Sequence, residues 1–205
     1  MNRLALLGAS GHGKVVADTA EACGWNSIVF FDDAWPASER NGPWPIDGSG
    51  ADLLRRLSDF DAVMVSIGNN RIRLAKLESL RKAGARLINL IHPSAVISRY
   101  AVLGEGTVVF AGSVVNAFAQ IGKGCILNTG CSVDHDCSLA DAVHISPGAR
   151  LAGGVRVGEG SWIGIGASVR QSVCIGSDVV VGAGAAVVAD TVDKVTVVGV
   201  PARIK

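Results

Sequence analysis

The stretch from Ala95 to Gly130 reads, in blocks of six, AVISRY, AVLGEG, TVVFAG, SVVNAF, AQIGKG and CILNTG. The third residue of every block is Ile, Leu or Val, and the register holds unbroken from Ile97 to Val187, sixteen blocks in all. The first residue of a block is mostly small, as at Ala95, Ala101, Thr107, Ser113, Ala119, Cys125, Cys131 and Cys137. Glycine often follows the aliphatic residue, as at Gly104, Gly122, Gly158, Gly164, Gly176 and Gly182. A period of six with these preferences marks a parallel β-helix, whose stacked coils bury aliphatic ladders and whose tight corners favour small residues or glycine. Such a solenoid serves equally well as pure scaffold, so function has to be read from other residues.

Upstream of His92-Pro93 the pattern is different. Short apolar runs at Leu4–Leu7, Ile28–Phe31, Ala62–Ile67 and Leu87–Ile91 alternate with helical periodicity over Lys14–Cys23 and Ile72–Ala83, with Gly24 and Gly84 as stops. Alternating strands and helices predict βαβ units around a parallel sheet. Residues 34–50 read as a loop from their Pro, Gly and Ser content. The chain therefore divides into a Rossmann-like α/β domain over 1–92 and the solenoid with its C-terminal tail over 93–205.

Charge and hydropathy remove several classes of function. The 205 residues carry 19 Lys+Arg against 18 Asp+Glu, without the basic excess that phosphate-backbone binding needs, so no nucleic-acid partner is expected. Mean hydropathy is high at +0.38. Yet Gly, Asp or Arg interrupts every apolar run before the roughly 20 residues a membrane span requires. The opening Met1-Asn2-Arg3-Leu4 lacks signal-peptide features, and the five cysteines are an odd number. A cytoplasmic protein with free thiols and no membrane partner is the expectation.

The hexapeptide run and the closing Val198-Gly199-Val200-Pro201-Ala202 resemble the hexapeptide-repeat acyltransferases. Gly8-Ala9-Ser10-Gly11-His12-Gly13, Phe31-Asp32-Asp33, Ile67-Gly68-Asn69-Asn70 and Val133-Asp134-His135-Asp136-Cys137 narrow the likeness. They are similar to the sialic-acid O-acetyltransferase-like branch and above all to the UDP-4-amino-sugar N-acetyltransferases of bacterial protein glycosylation. The resemblance spans essentially the whole chain. It implies a left-handed parallel β-helix, acetyl-CoA as co-substrate without a metal, a nucleotide-sugar acceptor held by the N-terminal domain, and a homotrimer with active sites between subunits.

Residue by residue, Gly8-x-x-Gly11-x-Gly13 follows a strand and opens a helix, where backbone amides and the helix N-terminus receive phosphate. With Asp32 or Asp33 after the second strand it also resembles a dinucleotide site, but some 90 residues are too few for both halves of that fold. His12, inside the loop, is expected as a neutral partner of the nucleotide-sugar, with Ser10, Asp32, Asp33, Gly68, Asn69 and Asn70 around it. His135 follows inward Val133 by two positions and should lie outside the coil, where His titrates in the range a general base needs. Asp136, or Asp134, would orient it; the family commonly has Glu where Asp136 stands.

The resemblance places His144, Gly153, Ile165 and Ala183 on acetyl-CoA and Asn128 on the acceptor side of the same site. With 18 residues per coil, His135 and His144, nine apart, would face opposite sides of one prism. They would share a pocket only across a subunit interface. Cys125, Cys131 and Cys137 read as core fillers. Only two histidines lie in the repeats, against the three metal ligands of a β-helix carbonic anhydrase. Two other readings stand beside N-acetylation: O-acetylation of sialic acid or a related sugar, since the same base would activate a hydroxyl, and a non-catalytic nucleotide-binding or assembly module.

Overall fold

The computed structural model describes residues 2–205. Along the N-terminal part run β1 (Arg3–Leu7), α1 (Gly11–Ala22), β2 (Ser27–Phe31), the hairpin strands β3 (Arg40–Asn41) and β4 (Trp44–Pro45), α2 (Gly50–Arg55), β5 (Ala62–Val65) and α3 (Asn70–Lys82). The sheet is parallel with order β2-β1-β5. Leu4–Leu7 and Ala62–Val65 are buried at every position because helices cover both faces, as parallel sheets require. The hairpin lies inside the segment expected to be a loop. Both long helices begin earlier than the apolar period indicates: α3 is capped by the Asn69 side chain, and α1 opens on Gly11, His12 and Gly13, which carry no apolar period.

From Leu90 onward the chain winds into a three-faced prism. One face stacks Val96–Ile97 through Ala186–Val187, a second Val102–Leu103 through Cys174–Ile175, and the third Leu90–Ile91 through Val180–Val181. Each strand pairs in parallel with the one 18 residues later, as Val115 with Val133 and Val133 with Leu151. The ladders at 109, 115, 121 and every sixth position to 187 are buried, with Cys125, Cys131 and Cys137 at 0% exposure among them. Fully burying one Leu, Ile or Val contributes about 1.5–3 kcal/mol, so the stack is the main source of cohesion. Thr196–Gly199 continues the third face, and Ala202–Ile204 folds back on it antiparallel.

The segment expected as one strand over Leu87–Ile91 is divided. Leu87 bridges to Val63 in the N-terminal sheet, whereas Leu90–Ile91 pairs with Val108–Val109 and already belongs to the prism. The change of partner falls at Asn89, whose Oδ1 accepts from the Thr107 amide at 3.0 Å. The two parts are fused: Val108, Phe110 and Ile126, pointing out of the prism, pack with Val16, Ala17, Ala20 and Met64 in one core.

A polar lock adds to this. Arg73 of α3 is 1% exposed, and its guanidinium donates to the carbonyls of Gly124 (2.6 Å), Ala142 (2.9 Å), Ile67 (3.1 Å) and Gly68 (2.9 Å) and to Asn70 Oδ1 (2.8 Å). Asn70 Nδ2 donates to the carbonyl of Gly160 at 2.9 Å, and Leu77 packs over Gly106 and Gly124. Burial lowers the Arg73 pKa only to about 10, so it stays charged.

Candidate active site

The third face explains where a site forms. Its outward positions from Leu90 on are Leu90, Val108, Ile126, His144, Trp162 and Val180; the N-terminal domain buries the first four, at 1%, 1%, 0% and 6%, and leaves the last two 42% and 43% exposed. Where the cover stops, a cleft of about 470 Å³ opens, lined by Asn128, His144, Ser146, Trp162, Ile165 and Ala183 among others. The walls are mostly apolar. His144 stacks on Trp162 with centroids 4.9 Å apart, its Nε2 lies 3.2 Å from Asn128 Nδ2, and Trp162 Nε1 donates to Ser146 Oγ at 2.6 Å.

His12 approaches His144 from the other domain. Its ring is 6.4 Å from that of His144 and 5.6 Å from Phe110. Burial, then the charge of Arg73, holds His12 at about 4; burial, Arg73 and His12 hold His144 at about 3. Both rings are therefore neutral at working pH. For His12, expected to be neutral, burial is the larger cause. His12 Nε2 and His144 Nδ1 are buried without a hydrogen-bond partner in the protein, which marks this seam as one whose polar groups are not all satisfied by the fold.

These depressed values carry a stability prediction. The unfolded chain takes up both protons near pH 6.5 and the folded chain only near 4 and 3, so stability should fall as pH drops below about 6.5. The loss continues until the folded-state values are passed. Urea unfolding from about pH 7 to about pH 4.5 should show this slope, and His144→Gln should flatten it; an unchanged slope in the variant refutes the assignment.

On the far side of the sheet, at the carboxyl ends of the strands, a crevice of about 260 Å³ gathers Gly8, Ser10, Asp32, Asp33, Ile67 and Lys76. This is where open α/β sheets bind ligands. Gly8 has φ 115°, and a Cβ on Gly13 would stand 2.5 Å from the Gly8 carbonyl oxygen, so the loop and the helix start need these glycines. Ser10 makes no side-chain cap on α1, which leaves the helix N-terminus open.

The acids are partly committed. Asp32 accepts from the amides of Ala9 (2.7 Å) and Ala34 (2.9 Å), buttressing the glycine loop; Asp33 accepts from Gly50 N and pairs with Lys76 at 3.0 Å. Asn69 caps α3 by accepting from Ile72 N, the Gly68 carbonyl serves Arg73, and Asn70 docks the domains. The Gly68–Asn70 turn thus spends its side chains and one carbonyl on structure.

His135 lies elsewhere, at the prism corner after Ser132–Val133, with its side chain 62% exposed. Its Nδ1 is 2.8 Å from Asp136 Oδ2, and its amide donates to Asp134 Oδ1, which also accepts from Asn116 Nδ2 at 2.8 Å. A carboxylate only accepts, so Nδ1 carries the proton and Nε2 offers its lone pair. The Asp136 hydrogen bond, then the Asp134 charge, raise the His135 pKa. His135 and His144 share no pocket within one chain, as the nine-residue offset required.

Residues 3–80 match the family model described as PglD N-terminal domain. Over 100% of this chain and 99% of the other, the fold superposes on the acetyltransferase domain of PglB from Neisseria gonorrhoeae FA1090 in complex with acetyl coenzyme A, with TM-score 0.95 and 46% identity. The chain belongs to this acetyltransferase family. A histidine variant of perosamine N-acetyltransferase from Caulobacter crescentus, in complex with CoA and GDP-perosamine, gives TM-score 0.95 and 40% identity over 100% of this chain and 97% of that one. A UDP-N-acetylbacillosamine N-acetyltransferase of Bacillus subtilis (strain 168) is 41% identical over 109 residues, 52% of this chain; the match spans half the length of that curated relative.

In this family member, the expected Asn128, His144, Ile165 and Ala183 come together in the cleft, while Gly153 stands apart, against His135. Sequence reasoning missed Trp162, Ser146, Lys76 and Arg73. Trp162 was findable: it lies 18 residues after His144, at the same outward position one coil on.

Proposed function

We propose that the protein transfers the acetyl group of acetyl-CoA to the 4-amino group of a nucleotide-linked amino-deoxy sugar, as a homotrimer. The observation that carries this is the cleft beside His144. Its apolar walls suit a pantetheine arm, and its polar end is a neutral His144–Asn128 pair next to His12 of the domain that bears the phosphate-type glycine loop. Acetyl-CoA is assigned to His144, Ile165 and Ala183, and the nucleotide-sugar to Gly8, Ser10, Gly11, His12, Asp32 and Asp33, with Asn128 between them. That one relative is solved with acetyl coenzyme A and another with CoA and GDP-perosamine supports these two classes of ligand.

His135 is remote from its own chain's cleft, so the base is assigned to a neighbouring subunit's His135. The amine nitrogen attacks the thioester carbonyl, its proton passes to His135 Nε2, the C–S bond breaks, and the CoA thiolate leaves to take up a proton. No acyl-enzyme is needed, and juxtaposing amine and thioester supplies much of the rate. We place the protein in the cytoplasm on the support of five cysteines without a disulfide; no helix among the described residues is long and apolar enough to cross a membrane.

The test is CoA thiol release from acetyl-CoA with UDP-, dTDP- and GDP-linked 4-amino sugars and with free sialic acid. Turnover with an amino-sugar nucleotide is expected; turnover only with hydroxyl acceptors moves the assignment to O-acetylation. Ala183, exposed on the cleft wall, provides a companion test. Ala183→Trp should fill the cleft and weaken CoA binding by calorimetry at least about tenfold, an effect of roughly 1.4 kcal/mol, with Tm unchanged. Unaltered CoA affinity removes the cleft from the acetyl-CoA assignment.

A further inference from the structure

Gly153 follows His135 by one full coil and lies beneath its ring. A Cβ built on Gly153 would stand 2.5 Å from both Cε1 and Nε2 of His135, closer than real atoms approach, and 3.1 Å from Nδ1, so the ring would have to move. The fold itself does not ask for glycine there. Gly153 is not among the residues with positive φ; the left-handed turn is made by Gly154, φ 70°. The same place in other blocks holds Lys123, Glu159, Ile165 and Gln171, the last one coil further along the same edge. Thus the side chain missing at 153 is missing where the imidazole lies.

The remaining restraints on His135 are polar and one-sided. Asp136 holds Nδ1, and Asp134, itself fixed by Asn116, holds the backbone amide. We propose that Gly153 is a positioning residue: its bare backbone forms the floor on which the His135 imidazole rests, keeping Nδ1 against Asp136 and Nε2 free for the acceptor's proton. With any side chain at 153 the ring swings off its floor and loses Asp136. The inference rests on His135 being the base, and its first readout does not depend on activity.

That readout is the His135 imidazole titration by NMR in the wild type, Gly153→Ala and Asp136→Asn. In the wild type the midpoint should lie above the ordinary value near 6.5; both substitutions should bring it down towards that value with thermal unfolding unchanged. In kinetics, Gly153→Ala should lower kcat by about 10–100-fold, the scale of a 1 Å misplacement, with KM for acetyl-CoA changed little. Combined with His135→Ala it should add no further loss.

An unshifted titration in Gly153→Ala overturns the proposal, as does a loss that adds in full to His135→Ala. A rise in KM for acetyl-CoA at constant kcat also overturns it, since Gly153 then acts on the donor directly. Absence of any acetyl transfer in the wild type would sink the proposed reaction, while the titration would still decide whether Gly153 seats the ring.

Discussion

His135→Ala is expected to reduce kcat by about 10²–10⁴-fold, the range that a positioned general base contributes. The residue is 62% exposed at a prism corner and buries no apolar surface of consequence, so Tm should move little. KM for either substrate should change less than kcat, because the base acts on a proton that leaves only as the C–N bond forms. Since Asp136 and Asp134 raise the pKa of the base, the acid limb of kcat/KM should lie above the ordinary histidine value, and Asp136→Asn should shift that limb downward. Activity within about threefold of wild type in His135→Ala would remove it from the mechanism.

The largest effect on stability is expected at Arg73. Its substitution by Met keeps most of the volume but strands the carbonyls of Gly124, Ala142, Ile67 and Gly68 in a buried seam. Each unsatisfied buried acceptor costs about 1–3 kcal/mol, partly recovered by relaxation or entering water, so a net loss of about 3–5 kcal/mol is reasonable. At roughly 2–4 °C per kcal/mol for a chain of this size, Tm should fall by about 6–20 °C. Arg73→Lys, a point donor in place of a fork, should recover only part of it. A Tm within about 2 °C of wild type in Arg73→Met would show that the seam is held by its apolar contacts alone.

The solenoid was legible because each coil repeats one physical demand, an inward aliphatic every six residues, from Ile97 to Val187. The glycine loop was legible for a similar reason: Gly8 and Gly13 answer to close backbone approach that the sequence displays. The start of the prism at Leu90 was not, since Leu87–Ile91 satisfies a sheet and a coil equally. The burial of His144 is not legible either: its outward position follows from the six-residue period, but which outward residues the other domain covers is recorded in no local pattern. Arg73 was invisible too, as a lone arginine on an amphipathic helix ordinarily marks the solvated face. Its burial follows only from tertiary docking.

The contacts of α3 turn on a coincidence of two lengths. A solenoid rung repeats about every 4.8 Å and a helical turn about every 5.4 Å. Leu77, Arg73 and Asn70, one turn apart along α3, meet Gly106 and Gly124, then Gly124 and Ala142, then Gly160, the same corner on successive rungs. A ladder of near-identical rungs offers many landing places displaced by one step. Sliding the domain along by one rung would keep the apolar stripe but bring Ile126 and His144 to where Val108 and Ile126 now pack. The helix works as a vernier on a ruler, with a mismatch of about 0.6 Å per turn that long side chains absorb over three rungs and no further. What sets the spacing between the glycine loop and the cleft is therefore an address counted in whole coils, read by α3 at Gly106, Gly124, Ala142 and Gly160.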